Sequence, residues 1–432
     1  MKRFLRRLPL VIGASVVVVC LALIGFRLFV RYLGTQVERV LGSADLQAES
    51  FPVRVPLDYV NGWIVVTAFV NDDDRGYRFI VDTGAEATLV LRSAADRVGL
   101  GPVKVGGVPL GGDDESIVRI DRLRLGKATY HDVGAVVADD AALEPVSCLV
   151  DGGIIGVNVL AKAGLEIDYT ARTISIGADH PDPAEASTML PFTMDGKRGR
   201  AFLKLSMATG DTIPLLLDTG YSGRLSLSLG YPRRFLARLP DSAIRRYWTG
   251  PPVGTLNIEP IVPKEAWAIR LDSCAIGHLR LEGLSSAMDS AIGTGDRGLL
   301  GNGVLDRYDV TIDWAHGLLH LVPVSGRHLP SNFDIVGLTY LPHGSRLVVH
   351  TVYEGSAAKV EGIAPGDEIV AVNGSSIPEM SRDGLCRLWL DESHAATAAA
   401  ESLVVTVRHG GQDRTHVLSR FPVFSEAVSP SS

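Results

Sequence analysis

The chain has 432 residues, of which 46% are apolar and 21% are charged, and its formal net charge is −7. This length allows two to four domains, and the apolar content excludes an intrinsically disordered chain. The acidic balance argues against a body that binds nucleic acid. The 46 glycines and the low aromatic content predict many short strands joined by tight turns. The mean hydropathy of +0.19 is high for a soluble protein and directs attention to the N-terminus.

The N-terminal segment contains 19 consecutive uncharged residues, from Leu8 to Phe26. A helix of that length can cross a hydrocarbon core, so we predict a single transmembrane signal anchor at residues 8–30. Four basic residues precede the run and three follow it, which favours a cytoplasmic N-terminus in the cell membrane. A cleaved signal peptide is the alternative. Both interpretations place residues 35–432 outside the cytoplasm, which means the periplasm if the source is bacterial. A body that faces the cytoplasm is the third interpretation.

The cysteines and histidines predict neither disulfides nor a metal site. Cys20 lies in the predicted anchor, which leaves Cys148, Cys274 and Cys386 for the body. Three thiols cannot form a complete disulfide set and none lies in a CxxC motif, so we interpret them as small buried apolar side chains. The chain has no HExxH motif and no Cys/His cluster, and we expect no metal and no other cofactor.

The body of the chain is a tandem duplication, because four landmarks recur in the same order. The pairs are Phe79–Gly84 with Leu215–Gly220, Arg119–Asp121 with Arg270–Asp272, Gly153–Gly156 with Gly298–Gly301, and Glu166–Tyr169 with Thr311–Trp314. From the last Gly of the third landmark to the Asp of the fourth is 12 residues in both copies. The copies predict mainly β lobes at residues 51–177 and 190–324, joined by a linker at 178–185 that is rich in proline and acidic residues.

The pattern changes again after the second copy. Short apolar runs alternate with the turn signals Pro365-Gly366-Asp367 and Asn373-Gly374, and an alanine-rich helical stretch precedes a last strand. We therefore predict a third, small domain at residues 328–422.

Each copy carries an apolar strand into Asp-Thr-Gly, at Asp82 and at Asp218. If the copies pack about a twofold axis, the two carboxylates meet and share a proton, because they cannot both ionise easily. Such a pair can hold a water molecule, take its proton and polarise a peptide carbonyl. One Asp-Thr-Gly triplet is ordinary turn composition, but two at equivalent positions of a repeat are a strong signal.

These residues resemble the aspartic peptidases of the retropepsin and pepsin clan, in which each half supplies one triplet. The resemblance covers roughly residues 51–324 and implies a mainly β, bilobal double β-barrel. The later Ile154-Ile155-Gly156 and Leu299-Leu300-Gly301 match the element that packs beneath each catalytic loop in that clan. The site residues that the resemblance implies are the catalytic Asp82 and Asp218, the cross-lobe grip of Thr83 and Thr219, and the loop-shaping Gly84 and Gly220.

The chain also departs from that family. Ala85 after the first triplet fits the retroviral type, whereas Tyr221 after the second departs from the usual small residue, although Ser222 follows and can supply a hydroxyl. No flap tyrosine is evident. The glycine-rich segments at 105–112 and 250–254 are the candidate flap tips.

The C-terminal domain resembles a PDZ module of the type attached to bacterial envelope proteases, with a small β-barrel and helices. Gly337–Tyr340 matches the carboxylate-binding loop, and Ala364–Gly374 matches the second half of the module. Such modules add a peptide as an extra strand and bind its C-terminal carboxylate, which implies binding positions at Leu338, Thr339 and Tyr340. A small β domain without a binding role is the alternative.

These patterns together predict a membrane-anchored aspartic endopeptidase that hydrolyses protein or peptide substrates. The PDZ module is expected to bind peptide C-termini and so to recruit substrates or regulate the peptidase, and nucleic acid is not an expected partner. The alternative function is a catalytically inactive peptidase-like scaffold or envelope sensor that binds peptides through its PDZ module.

Overall fold

The structure is a computed structural model that describes residues 27–111, 116–177, 188–195, 199–228, 232–250, 262–288, 297–328, 334–398 and 401–424. The predicted linker at 178–185 lies outside the described residues, as does the second candidate flap tip beyond residue 250. Of the predicted anchor, residues 27–30 alone are described. The described part is mainly β, as predicted.

The first lobe is built from short strands whose buried residues alternate with exposed ones. Val53, Val55 and Leu57, for example, are buried along one face of a strand, and the residues between them are exposed. The described strands are β1 (Asp45–Gln47), β2 (Val53–Val60), β3 (Trp63–Val70), β4 (Gly76–Val81), β5 (Thr88–Leu91), β6 (Lys104–Val105), β7 (Val108–Pro109), β8 (Ile117–Leu125), β9 (Ala128–Ala138), β10 (Gly153–Ile155), β11 (Leu165–Asp168) and β12 (Thr173–Ile176). The described helices are α1 (27–41), α2 (Arg92–Arg97) and α3 (Val157–Leu160), with 3-10 turns at Asp140–Leu143 and Val146–Cys148.

The second lobe repeats this plan. Its described strands are β13 (Thr188–Pro191), β14 (Thr193–Met194), β15 (Ala201–Met207), β16 (Thr212–Leu217), β17 (Leu225–Ser228), β18 (Ile244–Thr249), β19 (Lys264–Ile276), β20 (Leu279–Met288), β21 (Arg297–Leu300), β22 (Tyr308–Asp313) and β23 (Leu318–Pro323). Its described helices are α4 (Pro232–Leu236) and α5 (Asn302–Leu305), with a 3-10 turn at Asp241–Ala243. In both lobes a single helical turn follows the Gly-apolar-apolar-Gly element, as the sequence predicts.

The strand pairing reproduces the duplication. In the first lobe β4 runs parallel to β10, and β5 pairs with β10 and with β9. In the second lobe β16 runs parallel to β21, and β17 pairs in the same two ways with β21 and β20. Equivalent strands of the two lobes therefore carry the two Asp-Thr-Gly triplets to equivalent places.

A sheet formed by both lobes joins them across the twofold axis. The repeated segments pair with each other, since β11 lies antiparallel to β22 with Glu166 opposite Thr311. The sheet runs in the order β2, β12, β11, β22, β23, β13, so strands from both lobes share it. This direct pairing fixes the relative orientation of the lobes, and with it that of the two Asp-Thr-Gly triplets.

The C-terminal domain packs two helices against a small set of strands. Its described strands are β24 (Asp334–Ile335), β25 (Leu338–His343), β26 (Arg346–Tyr353), β27 (Glu368–Val372), β28 (Ser375–Ser376), β29 (Ser402–His409), β30 (Gln412–Ser419) and β31 (Phe421–Pro422). Its described helices are α6 (Ala357–Val360) and α7 (Arg382–Ala398). The predicted turn residues Gly366 and Asn373 have the positive φ angles, 96° and 47°, that turns of this kind need.

This domain is attached to both lobes. In the second lobe β18 extends the domain's sheet by pairing with β26, so that Tyr247 lies opposite Tyr353. In the first lobe a disulfide joins Cys148 to Cys386 on α7. The prediction that these two cysteines are unpaired is therefore wrong, because partners 238 residues apart in sequence leave no mark in local spacing. Cys274 is a buried free thiol, as predicted, and burial raises its pKa to about 11.

Helix α1 leads from the N-terminal segment onto the first candidate flap. Val40 is buried with Leu110 and Ile117 in a small apolar cluster of its own. The first candidate flap tip, at residues 105–112, includes the turn of the two-stranded β6–β7 hairpin. Residues 112–115 are not among those described. No helix within the described residues is both long and apolar enough to cross a membrane.

Candidate active site

The two aspartates stand at the ends of equivalent buried strands. Asp82 follows β4 and donates its backbone N–H to Ile155 O at 3.0 Å. Asp218 follows β16 and donates to Leu300 O at the same distance. The parallel pairing of each strand with its Gly-apolar-apolar-Gly element thus continues to the aspartate itself and holds its backbone in place.

The loops that follow bring the carboxylates together. We call residues 82–87 the Asp82 loop and residues 218–223 the Asp218 loop. A Cβ placed on Gly84 would lie 2.6 Å from Cγ of Asp218, and one on Gly220 would lie 2.3 Å from Cγ of Asp82. Each glycine therefore makes room for the carboxylate of the other lobe, and the two carboxyls are hydrogen-bonded to each other.

Backbone donors and burial set the charge of this pair. Gly84 N and Ala85 N donate to Asp82 Oδ1 at 2.7 and 3.0 Å, and Gly220 N donates to Asp218 Oδ1 at 2.9 Å. Burial raises the pKa of both carboxyls, and the pKa of Asp218 rises further because the charge of Asp82 opposes a second ionisation. Over the pH range between the two ionisations the pair therefore holds one shared proton. Both residues keep some accessible surface, so water can reach them.

The two threonines form a reciprocal cross-lobe grip. Thr83 Oγ1 donates to Leu217 O and Thr219 Oγ1 donates to Val81 O, both at 2.7 Å. Each hydroxyl also accepts the backbone N–H of the other threonine at 3.1 Å. Both threonines are buried. These four hydrogen bonds join the bases of the two loops where no water can replace them.

The elements beneath the loops also match the expectation. A Cβ on Gly156 would lie 2.6 Å from the backbone of Ala87, and one on Gly301 would lie 2.4 Å from Tyr221 O. Val157 N donates to Ala85 O at 2.9 Å, so the element and the loop above it are in direct contact. Glycine is required at both positions because the backbones approach this closely.

Tyr221 is accommodated by glycines of its own neighbourhood. A Cβ on Gly223 would lie 2.3 Å from the Tyr221 hydroxyl, and one on Gly301 would lie 2.5 Å from the Tyr221 ring. The ring thus folds back under its own loop. Cβ of Ser222 faces Gly62 of the first lobe, from which an added Cβ would lie 2.8 Å away.

Several residues that support the loops were not identified from the sequence. Asn302 is buried and donates from Nδ2 to Thr219 O at 2.6 Å and to Gly62 O at 2.8 Å. Arg200 of the second lobe forms an ion pair with Glu86 of the Asp82 loop at 2.9 Å. Trp63 of the first lobe donates from Nε1 to Gly220 O of the Asp218 loop at 2.9 Å. For Trp63 the sequence does contain a signal: Asn61-Gly62 is a typical two-residue hairpin turn and predicts the β2–β3 hairpin, in which Trp63 begins β3.

The predicted peptide-binding positions lie at the start of β25 in the C-terminal domain. Leu338 and Tyr340 are buried and Thr339 is half-buried. Among the described strands β25 pairs with β26 alone, so its other edge is not occupied by a described strand. An added strand would bind at an edge of this kind.

The pKa direction of Asp218 gives a prediction for stability. A carboxyl whose pKa is raised by folding contributes stability that is fully present below its unfolded pKa and is lost as the pH rises through its folded pKa. Asp218→Asn removes the buried acid but keeps its shape. We expect this variant to gain about 2–4 °C in Tm at pH 7 relative to wild type and little at pH 3. Calorimetry at the two pH values measures this difference, and an equal change at both would contradict it.

Two family models match separate segments of the chain. A family model described as aspartyl protease matches residues 66–159, which include Asp82. A family model described as PDZ domain matches residues 328–387. The chain thus combines an aspartyl-protease-like region with a PDZ domain.

One solved structure similar to this chain is the aspartic proteinase from Irpex lacteus. It is 14% identical, the match covers 66% of this chain and 98% of that one, and the TM-score is 0.37. No curated protein matches the chain.

Proposed function

We propose that the protein is a membrane-anchored aspartic endopeptidase in which Asp82 and Asp218 activate a water molecule between them. The observation that carries this proposal is the apposition of the two carboxyls, each seated on the glycine of the opposite loop and hydrogen-bonded to the other. The match of residues 66–159 to the aspartyl protease family supports the same chemistry.

The chemistry needs one ionised and one protonated carboxyl. We assign Asp82 as the ionised carboxyl that takes a proton from the water, while the protonated Asp218 donates a hydrogen bond to the peptide carbonyl. The water oxygen bonds to the carbonyl carbon and Asp218 gives its proton to the carbonyl oxygen, so that the carbonyl becomes a tetrahedral diol. Asp82 then gives the proton it took from water to the amide nitrogen, the C–N bond breaks, and one diol hydroxyl returns its proton to Asp218. An acid and an amine leave, and the pair again holds one proton.

The PDZ domain is proposed to bind peptide C-termini along the outer edge of β25, with Leu338, Thr339 and Tyr340 at the carboxylate. Bound in this way, a peptide would recruit substrates to the peptidase or regulate it. The body is proposed to face an extracytoplasmic compartment, such as a bacterial periplasm. The Cys148–Cys386 disulfide supports this location because such bonds persist in oxidising compartments.

The test is proteolysis of an unfolded protein by the purified full chain, with new termini identified by mass spectrometry. Cleavage by wild type and none by an Asp82→Asn/Asp218→Asn double variant is the expected result. Equal cleavage by both preparations would overturn the proposal. A different result would identify the inactive scaffold as the function. In that case neither preparation cleaves, the double variant keeps the protein's cellular role, and changes in the PDZ domain abolish that role. Retention of both aspartates with their hydrogen bonds favours the enzyme.

A further inference from the structure

The turn between β2 and β3 lies against the Asp218 loop. Asn61 and Gly62 have φ angles of 49° and 84°, as a two-residue hairpin turn requires. The turn is narrow enough for Gly62 to face Ser222 and for Trp63 Nε1 to donate to Gly220 O at 2.9 Å. Gly220 is the residue whose N–H binds Asp218 Oδ1, so the indole holds the far side of the peptide segment that positions the carboxylate.

The Asp82 loop is supported by an ion pair instead of an indole N–H. There Arg200, between β14 and β15 of the second lobe, binds Glu86 of the Asp82 loop at 2.9 Å and Asp195 at 2.6 Å. Glu86 is the fourth residue after Asp82, and Ser222 is the fourth after Asp218. No equivalent ion pair can therefore form at the Asp218 loop, and an indole N–H serves in its place.

The PDZ helix covers this indole. The ring of Trp389 on α7 lies 6.2 Å from the ring of Trp63, between centroids, and Trp389 is 3% exposed. One residue further along α7, Leu390 O accepts a hydrogen bond from Asn61 Nδ2 at 3.0 Å. The helix thus contacts both sides of the turn that supports the Asp218 loop.

Helix α7 is itself fixed to the first lobe. The disulfide from Cys148 reaches Cys386, one helical turn before Trp389. At the start of the helix Arg382 forms an ion pair with Glu144 at 2.6 Å and donates to Ser147 Oγ at 3.0 Å. The PDZ domain is therefore joined to the peptidase body beside the residue that contacts the Asp218 loop, and not merely tethered by a linker.

We propose that Trp63 is a positioning residue for the Asp218 loop, and that α7 of the PDZ domain holds it in place through Trp389 and the Cys148–Cys386 disulfide. The disulfide state and the position of the PDZ helix therefore set how firmly one of the two aspartates is held. The Asp82 loop, supported by Arg200, does not depend on α7. The effect on turnover rests on the proposed peptidase function, whereas the effect on loop order does not.

Hydrogen exchange of the full chain tests the inference without substrate. Trp63→Phe keeps an aromatic ring, although a smaller one, and removes the N–H. Cys148→Ser with Cys386→Ser removes the covalent bond to α7. We expect the amides of Gly220 and Tyr221 to exchange about tenfold faster in each variant, the factor for loss of roughly one hydrogen bond. When the two changes are combined, these amides should exchange less than about twofold faster than in either variant alone, because both changes act on one contact.

The Asp82 loop provides an internal control, since the amides of Gly84 and Ala85 should exchange as in wild type. Trp248→Phe is the matched variant, because Trp248 lies in β18 at the other junction with the PDZ domain. Trp248→Phe should leave amide exchange in the Asp218 loop unchanged. Unchanged exchange at Gly220 in Trp63→Phe, or fully multiplicative effects of the two changes, would overturn the proposal.

Turnover provides the second measurement. If wild type cleaves peptides, Trp63→Phe should lower kcat about tenfold, or about 1.4 kcal/mol of barrier, with KM changed less than about twofold. Reduction of the disulfide should lower kcat of wild type but not that of Trp63→Phe. A fall in kcat on reduction that is the same in both proteins counts against the inference. If wild type cleaves nothing, the proposed function fails, and hydrogen exchange alone decides the role of Trp63.

Discussion

Asp82→Asn is expected to lower kcat by about 10²–10⁴-fold, the range typical for loss of a general acid or base. Asparagine matches the shape of the carboxylate and can still accept from Gly84 N, so the fold of the Asp82 loop is retained. It cannot take a proton from water at any working pH. We therefore expect KM to change little, and initial rates on a peptide that wild type cleaves will measure both constants.

Asp168→Asn is the matched control for this change. Its Oδ1 accepts the N–H groups of Thr170 and Ala171 at 2.9 and 2.7 Å, the same pattern that Asp82 makes with Gly84 and Ala85. It is the last residue of β11, at the turn into β12, and is not part of the carboxyl pair. Wild-type kcat in Asp168→Asn, with a large loss in Asp82→Asn, assigns the effect to chemistry. An Asp82→Asn protein within about tenfold of wild type would contradict the mechanism.

Asp218→Asn should behave like Asp82→Asn, and the double variant should lose little more than either single one. Residues that share one proton act as a unit, so removing either partner removes the function of both. Losses that multiply would instead indicate that the two carboxyls act independently, which their mutual hydrogen bond argues against.

The twofold arrangement of the site was predictable because the duplication records it. Asp82 and Asp218 follow equivalent apolar strands, and Gly156 and Gly301 follow them at equivalent positions in each copy. A repeated pattern specifies a long-range contact, since two similar folds that pack symmetrically bring equivalent residues together. The resemblance of the C-terminal segment to a PDZ module had a similar basis in short turn motifs.

The contacts that break the symmetry were not predictable from the sequence. The disulfide from Cys148 to Cys386 and the contact of Trp63 with Trp389 join segments more than 200 residues apart, and no repeat or spacing records them. Tyr221 looked like a departure from the catalytic pattern. It proved to be compensated at Gly223, where a side chain would clash with its hydroxyl, and this depends on tertiary geometry alone.

Thr219→Val is expected to destabilise the fold by about 2–6 kcal/mol and to abolish most of the activity. Valine keeps the shape but loses the hydroxyl that donates to Val81 O and accepts from Thr83 N. Both partners are then buried without a hydrogen bond, at a cost of about 1–3 kcal/mol each. The loss falls where the two loops meet, so the carboxyls would no longer be held at hydrogen-bonding distance. Urea denaturation and kcat measure the two effects.

Two further variants separate the grip from burial in general. Thr219→Ser keeps the hydroxyl and should recover most of the stability and kcat. Thr88→Val removes a hydroxyl that is equally buried but bonds within one lobe, to Asn158 Oδ1 at 3.0 Å. It should lower stability without a comparable loss of kcat, because the Thr88 hydroxyl does not connect the lobes. If Thr88→Val and Thr219→Val lowered kcat equally, the hydrogen bonds between the lobes would have no special part in holding the carboxyl pair.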